Sequence, residues 1–141
     1  MPPAASSPAS VRWSVRCVWA SAGLVLFFTA LQVAGILPPV DGSLTMTVIT
    51  DAITAALLAL VAVKISAGRG WVRWLYLIVY AAGTAFTVVF FLAVPKAFHA
   101  LSPALQVNVV AQSALQTAAL IFMFTAASRA WFRAADERAV S

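Results

Sequence analysis

The residue most able to carry chemistry in this 141-residue chain is Asp51, a carboxylate inside a long apolar stretch. It follows Leu44, where that stretch begins, by seven residues, which places it about 10 Å along a helix. An aspartate near the centre of a membrane helix costs about 2.5–3.5 kcal/mol on insertion scales, so its side chain should face other helices or a wet cavity. Three interpretations stay open: a carboxylate that binds a proton or cation, a polar clamp between helices, and a shorter span with Asp51 near the headgroups.

Hydroxyl and small side chains accompany this carboxylate on its own helix. Thr47, Thr54 and Ala55 share the helical face of Asp51. We therefore expect the two threonine hydroxyls to bond the carboxylate and the small side chain to let a neighbouring helix approach closely.

Amide side chains recur every four residues in a later apolar stretch, at Asn108, Gln112 and Gln116. The first two, and Gln32 of an earlier stretch, are expected at about the depth of the carboxylate. Amides can donate to a carboxylate and accept from a cationic or hydroxylated ligand. The alternative is that they only hold helices together, at about 0.6 kcal/mol per bond. The candidate ligand or proton site comprises Gln32, Thr47, Asp51, Asn108 and Gln112.

No other constellation for catalysis is present in the sequence. It contains no nucleophile–base–acid set, no glycine-rich phosphate loop and no metal-spaced cluster, so we predict no catalytic residue, no metal site and no cofactor. The single Cys17 is interpreted as a lipid-facing thiol or a site of reversible acylation. The single His99 is interpreted as an interfacial residue or a proton-access group. The chain is therefore predicted not to be an enzyme.

The composition indicates which solvent surrounds these residues. The chain is 63% hydrophobic and 9% charged, with a mean hydropathy of +0.97. A soluble domain carries about 25% charged residues. Because so few charges cannot cover a water-facing globule, the sequence predicts an integral membrane protein.

Four apolar stretches predict four transmembrane helices, at about 14–37, 44–65, 71–95 and 102–128. Pro38-Pro39 and Asp41-Gly42 predict the first turn, and Ser102-Pro103 predicts a helix start. The spans lie in one domain, 11–133, between a disordered tail at 1–10 and a solvated tail at 134–141. The predicted fold is an all-α, up-down four-helix transmembrane bundle.

Lysine and arginine residues are strongly biased to one end of this bundle. Only Lys96 lies at the other end, and the end with both termini holds Arg12, Arg16, Lys64, Arg69, Arg73, Arg129, Arg133 and Arg138. By the positive-inside rule, both termini are predicted to be cytoplasmic. The bias also explains the net charge of +5 as a topology signal. We therefore do not expect nucleic-acid binding.

Two short motifs at this end carry a family resemblance. Residues 64–73 (KISAGRGWVR) resemble the K-I-x-x-G-R-x-W-x-R loop of short four-span bacterial inner-membrane proteins, and 128–133 (SRAWFR) resemble their S-x-x-W-F-R ending. Many members have Asn where this chain has Gly70. The resemblance implies a bacterial inner-membrane location and no assigned activity, so it assigns no functional residue.

Two functional hypotheses follow. The first is a non-enzymatic accessory or interaction component, with the bilayer, anionic cytoplasmic headgroups, a homo-oligomer or another membrane protein as partner. The second is a small proton- or cation-coupled carrier built around Asp51, which would need an oligomer because four helices are few for a transport path. The residues expected to contact headgroups or a partner are Lys64, Arg69, Trp71, Arg73, Trp74, Arg129, Trp131 and Arg133.

Overall fold

A computed structural model of the chain describes residues 7–39 and 43–140, and every regular element within them is helical. Four of the helices are long and apolar enough to cross a membrane, namely α1, α2, α3 and α5. The predicted all-α architecture with four candidate spans is confirmed. The helices are α1 (Ala9–Val33), α2 (Leu44–Ser66), α3 (Trp71–Ala93), α4 (Pro95–Ala100), α5 (Pro103–Met123) and α6 (Ala126–Val140).

Local signals explain where several helices begin and end. The Ser43 hydroxyl accepts the N–H of Met46 at the start of α2, and the Ser102 hydroxyl caps α5 in the same way before Pro103. Helix α1 ends at Val33, earlier than the predicted 37, and Gly35 follows with φ of 71°. The turn expected at residues 41–42 lies outside the described residues.

Helix α1 lies at the centre of the bundle and packs against both α2 and α5. Its buried residues recur at intervals of three and four, the spacing of helices that pack at a small crossing angle. Half of them carry polar side chains, so a polar seam runs inside the bundle. The seam face comprises Val11, Ser14, Val18, Ser21, Ala22, Val25, Thr29 and Gln32.

Helix α3 joins this three-helix core only near its beginning. Val72 and Tyr76 are its buried residues, whereas residues 81–90 are all exposed. In an apolar 18-residue stretch of α3, 6% of the residues are buried, whereas the corresponding share for α1 is 33%. The up-down bundle is therefore asymmetric, and most of α3 must face lipid or another protein.

The chain ends differ from the predicted tails. Helix α1 already begins at Ala9, so the last two residues of the expected tail at 1–10 are helical; residues 1–6 lie outside the described residues. The fourth span ends at Met123 rather than 128. The solvated tail expected from 134 forms the second half of α6, in which Asp136, Glu137 and Arg138 are exposed. We call the end where α1 and α3 begin, and where α6 lies, the basic end.

Candidate functional site

The carboxylate of Asp51 is bonded to α1. The Thr29 hydroxyl donates to Asp51 Oδ2 at 2.6 Å, and Asp51 itself is half-buried. The expected bonds from Thr47 and Thr54 are not formed. Each of those hydroxyls donates to the carbonyl four residues earlier in its own helix, a local bond that threonine commonly makes.

A second polar contact joins α1 to α5. The Ser21 hydroxyl donates to Gln112 Oε1, and Gln112 Nε2 donates back to the Ser21 carbonyl at 3.1 Å. Gln116 Nε2 also donates to the Ser21 hydroxyl, at 3.3 Å. Because Ser21 is fully buried, these bonds satisfy polar groups that have no water to bond.

The two contacts lie at different levels of the bundle. Ser21 and Thr29 are eight residues apart on α1, which corresponds to about 12 Å along the helix axis. No hydrogen bond within the described residues joins Asp51 to Gln112. The expectation that both lie at one depth, bonded within a single pocket, does not match this arrangement.

The remaining predicted pocket residues have separate surroundings. Gln32 is buried, and its amide donates to the carbonyl of Pro38 at 3.1 Å, closing the loop after α1. Thr47 is buried on α2. Asn108 on α5 has a buried Oδ1 with no hydrogen-bond partner among the described residues. The five residues therefore belong to several local arrangements along the seam, and their role in binding a ligand stays a prediction.

The sequence interpretation missed the two α1 hydroxyls that complete these contacts. Ser14, Ser21 and Thr29 recur at intervals of seven and eight residues, so they share one helical face. That periodicity was available in the sequence and identifies α1 as the polar centre of the bundle.

At the basic end, the two motif segments pack on one another. Gly68 has φ of 75°, and a Cβ there would lie 2.8 Å from the Ala135 Cβ and 3.4 Å from the Trp131 ring. A Cβ at Gly70 would overlap the carboxylate of Asp136, which accepts the Gly70 N–H at 3.3 Å. The absence of side chains at Gly68 and Gly70 thus lets α6 approach the loop closely.

A further contact ties α6 to the start of α1. The hydroxyls of Ser10 and Ser128 are 2.7 Å apart. Ser128 and Phe132 are fully buried on α6, and Trp131 and Ala135 lie on the same side, half-buried. Helix α6 is therefore a docked helix that closes the basic end.

The side chain of Arg73, at the start of α3, is surrounded by aromatic rings, one of which belongs to α6. Its guanidinium carbon lies 5.9, 5.8 and 5.6 Å from the ring centroids of Trp74, Phe124 and Phe132. Its Nε and Nη1 are buried without a hydrogen-bond partner, as is Nε1 of Trp131. Across the part of the chain that the structure describes, Arg73 forms no ion pair. The charge is thus stabilised by rings but has unsatisfied donors.

The eight residues predicted to contact lipid headgroups or a partner differ in how far they are buried. Arg73 and Trp131 are half-buried, and the other six are exposed at the basic end: Lys64, Arg69, Trp71, Trp74, Arg129 and Arg133. The wider basic surface also includes exposed Arg12, Arg16 and Arg138. Within the described part of this end, Asp136 and Glu137 are the exposed acids, so the surface carries a clear excess of positive charge.

The four apolar helices and their internal polar contacts define the class: a multi-pass helical membrane protein. Over residues 7–39 and 43–140, no group of three or more His, Cys, Asp or Glu side chains is placed to hold a metal ion. Comparisons with protein-family models, with curated proteins and with solved structures found no match.

Proposed function

We propose that this chain is a non-enzymatic interaction component of a membrane, whose basic end binds anionic lipid headgroups. The observation that carries the proposal is the charge at that end. Seven lysine and arginine side chains are exposed there in the described residues, against two exposed acids, Asp136 and Glu137. Each such cation near an anionic membrane surface contributes about 1 kcal/mol of attraction.

Exposed tryptophans favour lipid over a soluble acidic partner. Trp13, Trp71 and Trp74 are each about half exposed at the basic end, at 51%, 55% and 54%. Tryptophan is enriched at the headgroup level, where its ring is partly in apolar and partly in wet surroundings. The cations beside these rings would therefore lie within reach of lipid phosphates.

We further propose that the basic end faces the cytoplasm of a bacterial inner membrane. The lysine and arginine bias supports this orientation, and the resemblance of residues 64–73 and 128–133 to short bacterial four-span proteins supports the location. Reporter fusions to both termini test it. We expect a reporter that is active only in the cytoplasm to give a signal when it is fused to either terminus. A C-terminus on the outside would contradict the orientation.

The proposed binding of anionic headgroups is tested by measuring which lipids bind to the protein in a mixed bilayer. The protein is placed in mixed phosphatidylglycerol and phosphatidylcholine nanodiscs, and its bound lipid is measured by mass spectrometry at several salt concentrations. We expect enrichment of phosphatidylglycerol that falls as salt rises, because exposed charges are screened. The combined variant Lys64→Gln, Arg69→Gln, Arg129→Gln and Arg133→Gln should lose the enrichment. Lys96→Gln, at the far end, is the matched control, and bound lipid of the same composition as the bulk would contradict the proposal.

A proton- or cation-coupled carrier centred on Asp51 is the second candidate. It is supported by the half-buried carboxylate of Asp51 and by the buried, unpartnered Oδ1 of Asn108, since carboxylate and amide oxygens are ligands for hard cations. The bond from Thr29 to the carboxylate equally fits a structural clamp. Transport measurements on an Asp51 variant separate the two.

A further inference from the structure

The half of the bundle opposite the basic end, which we call the far half, is packed around α1 without the help of α3. Counted from the far ends of their helices, residues 48–54 of α2, 81–90 of α3 and 106–118 of α5 lie at about one level. None of these residues is buried, whereas α1 buries Val25 and Thr29 at that level. Helices α2 and α5 both pack on α1, but α3 does not cover them there.

Asp51 lies in this far half, on the face of α2 that packs against α1. It is four residues from buried Thr47 and four from buried Ala55, so the three share one stripe. The Thr29 hydroxyl of α1 donates to its Oδ2. Asp51 is nevertheless half-buried, and its Oδ1 has accessible surface and accepts no hydrogen bond from the described residues. One carboxylate oxygen is therefore held by α1, and the other can be reached from outside the chain.

We infer that the open carboxylate oxygen of Asp51 binds a substituted ammonium ion that carries an apolar body and approaches through the hydrocarbon. The site lies at the opposite half of the bundle from the exposed cations, so the inference goes beyond the proposed binding of anionic headgroups and does not depend on it. Binding of this ligand requires no transport.

The first argument is that the chain supplies no cation for Asp51. The far halves of the four long helices contain no lysine or arginine, and Lys96 lies beyond the end of α3. No ion pair to Asp51 is formed within the described residues. Because a carboxylate beside hydrocarbon is costly until it is neutralised, a ligand with one positive charge is its complement.

The second argument concerns the kind of cation. A hard metal ion such as Ca²⁺ takes about six to eight oxygen ligands, and no group of three or more His, Cys, Asp or Glu side chains is assembled in the described residues. A primary ammonium would bring three N–H donors to one free carboxylate oxygen. A tertiary ammonium brings one donor, and its alkyl groups replace the donors that would stay unpaired in hydrocarbon.

The third argument explains the apolar body. At the level of Asp51, the segment of α3 that stands clear of the core exposes large apolar side chains, among them Phe86 and Phe90. A ligand that reaches the carboxylate at this depth is surrounded by such side chains and by lipid. Its remaining groups must therefore be apolar, since polar groups there would lose their hydrogen bonds to water.

The experiment titrates the full chain in maltoside micelles with N,N-dimethyldodecylammonium and measures binding by calorimetry. We expect Asp51→Asn to weaken binding by about tenfold, the loss expected for a hydrogen bond to a charged group. The matched control is Glu137→Gln, which removes an exposed acid of the basic end and should weaken binding less than about twofold. Dodecanol has the same apolar chain without the charge, and it should not displace the ammonium from the wild-type chain.

Each contrary outcome overturns a stated part of the inference. Equal binding by the wild-type chain and Asp51→Asn would overturn the site, and displacement by dodecanol would overturn the role of the charge. Displacement by millimolar sodium chloride would replace the organic cation by a metal ion. Displacement by phosphatidylethanolamine would make a primary ammonium of a lipid the ligand. If Asp51→Asn does not fold, the comparison of the ammonium with dodecanol on the wild-type chain decides. None of these results bears on phosphatidylglycerol at the basic end, so the two proposals fail separately.

Discussion

The carboxylate of Asp136 accepts a hydrogen bond from the backbone N–H of Gly70, with Oδ1 3.3 Å from the nitrogen. These residues lie 66 positions apart in the sequence. The bond joins the C-terminal helix α6 to the loop between α2 and α3, and it places Phe132 of α6 against the guanidinium of Arg73. The docking of α6 is thus what completes the aromatic surroundings of Arg73.

Substitution of Gly68 by alanine should weaken this docking. Gly68 has φ of 75°, and an added Cβ would lie 2.8 Å from the Ala135 Cβ. The left-handed backbone alone costs about 1–2 kcal/mol for an L-residue. We therefore expect Gly68→Ala to lower thermal stability in detergent, measured by tryptophan fluorescence. Gly83→Ala is the matched control, because nothing lies within 4 Å of its added Cβ and a helical alanine is favourable. Equal melting temperatures of the two variants would contradict the docked arrangement.

Removal of the Thr29 hydroxyl should destabilise the contact between α1 and α2. Thr29→Val keeps the side-chain shape but leaves Asp51 without its donor. Interhelical bonds in membrane proteins contribute about 0.6 kcal/mol on average and up to about 1.7, and we expect a loss in this range in unfolding experiments. Thr54→Val serves as control, since that hydroxyl bonds only within its own helix. A loss in the control as large as in Thr29→Val would argue against the clamp.

The contact between Ser21 and Gln112 should appear as a coupling energy. Ser21→Ala removes the hydroxyl that donates to Gln112 Oε1 but keeps the backbone carbonyl that accepts from Gln112 Nε2, whereas Gln112→Leu removes both bonds, so the cycle reports the bond of the hydroxyl. We expect the double variant to be less destabilised than the sum of the two, by about 0.6–1.7 kcal/mol. The cycle of Ser113→Ala with Ser21→Ala is the control, because the Ser113 hydroxyl bonds only the Val109 carbonyl of its own helix. Additivity in both cycles would contradict the pairing.

Asp51→Asn separates the two functional candidates. As an interaction component, the chain should give no uptake above empty liposomes in a screen of cations and small cationic or hydroxylated solutes, with or without the substitution. A carrier would instead show pH-dependent uptake by the wild-type chain that Asp51→Asn abolishes while the fold is kept. Because the isosteric amide still offers an acceptor to Thr29, circular dichroism should be unchanged. Wild-type uptake that the variant loses would make the carrier the better proposal.

The membrane architecture was predictable from the sequence because it depends on local properties. Length and hydropathy decide whether a segment can cross about 30 Å of hydrocarbon, so α2 begins at the predicted Leu44. Ser102 and Pro103 marked the start of α5 for an equally local reason, since one side-chain cap and one fixed φ are enough. The expected end of α1 at 37 was less accurate, because the apolar run continues past Gly35 while the helix stops at Val33.

The partners of the polar residues required the tertiary structure. Asp51 was expected to bond threonines of its own helix, whereas its partner, Thr29, lies on α1. Which residue faces it depends on the rotation and offset of two packed helices, and no local pattern records that relation. Asp136 was expected in a solvated tail and is exposed, but only the packing of α6 shows that its carboxylate also accepts the N–H of Gly70. Hydropathy depends on each segment alone, whereas these contacts exist only once distant helices have packed together.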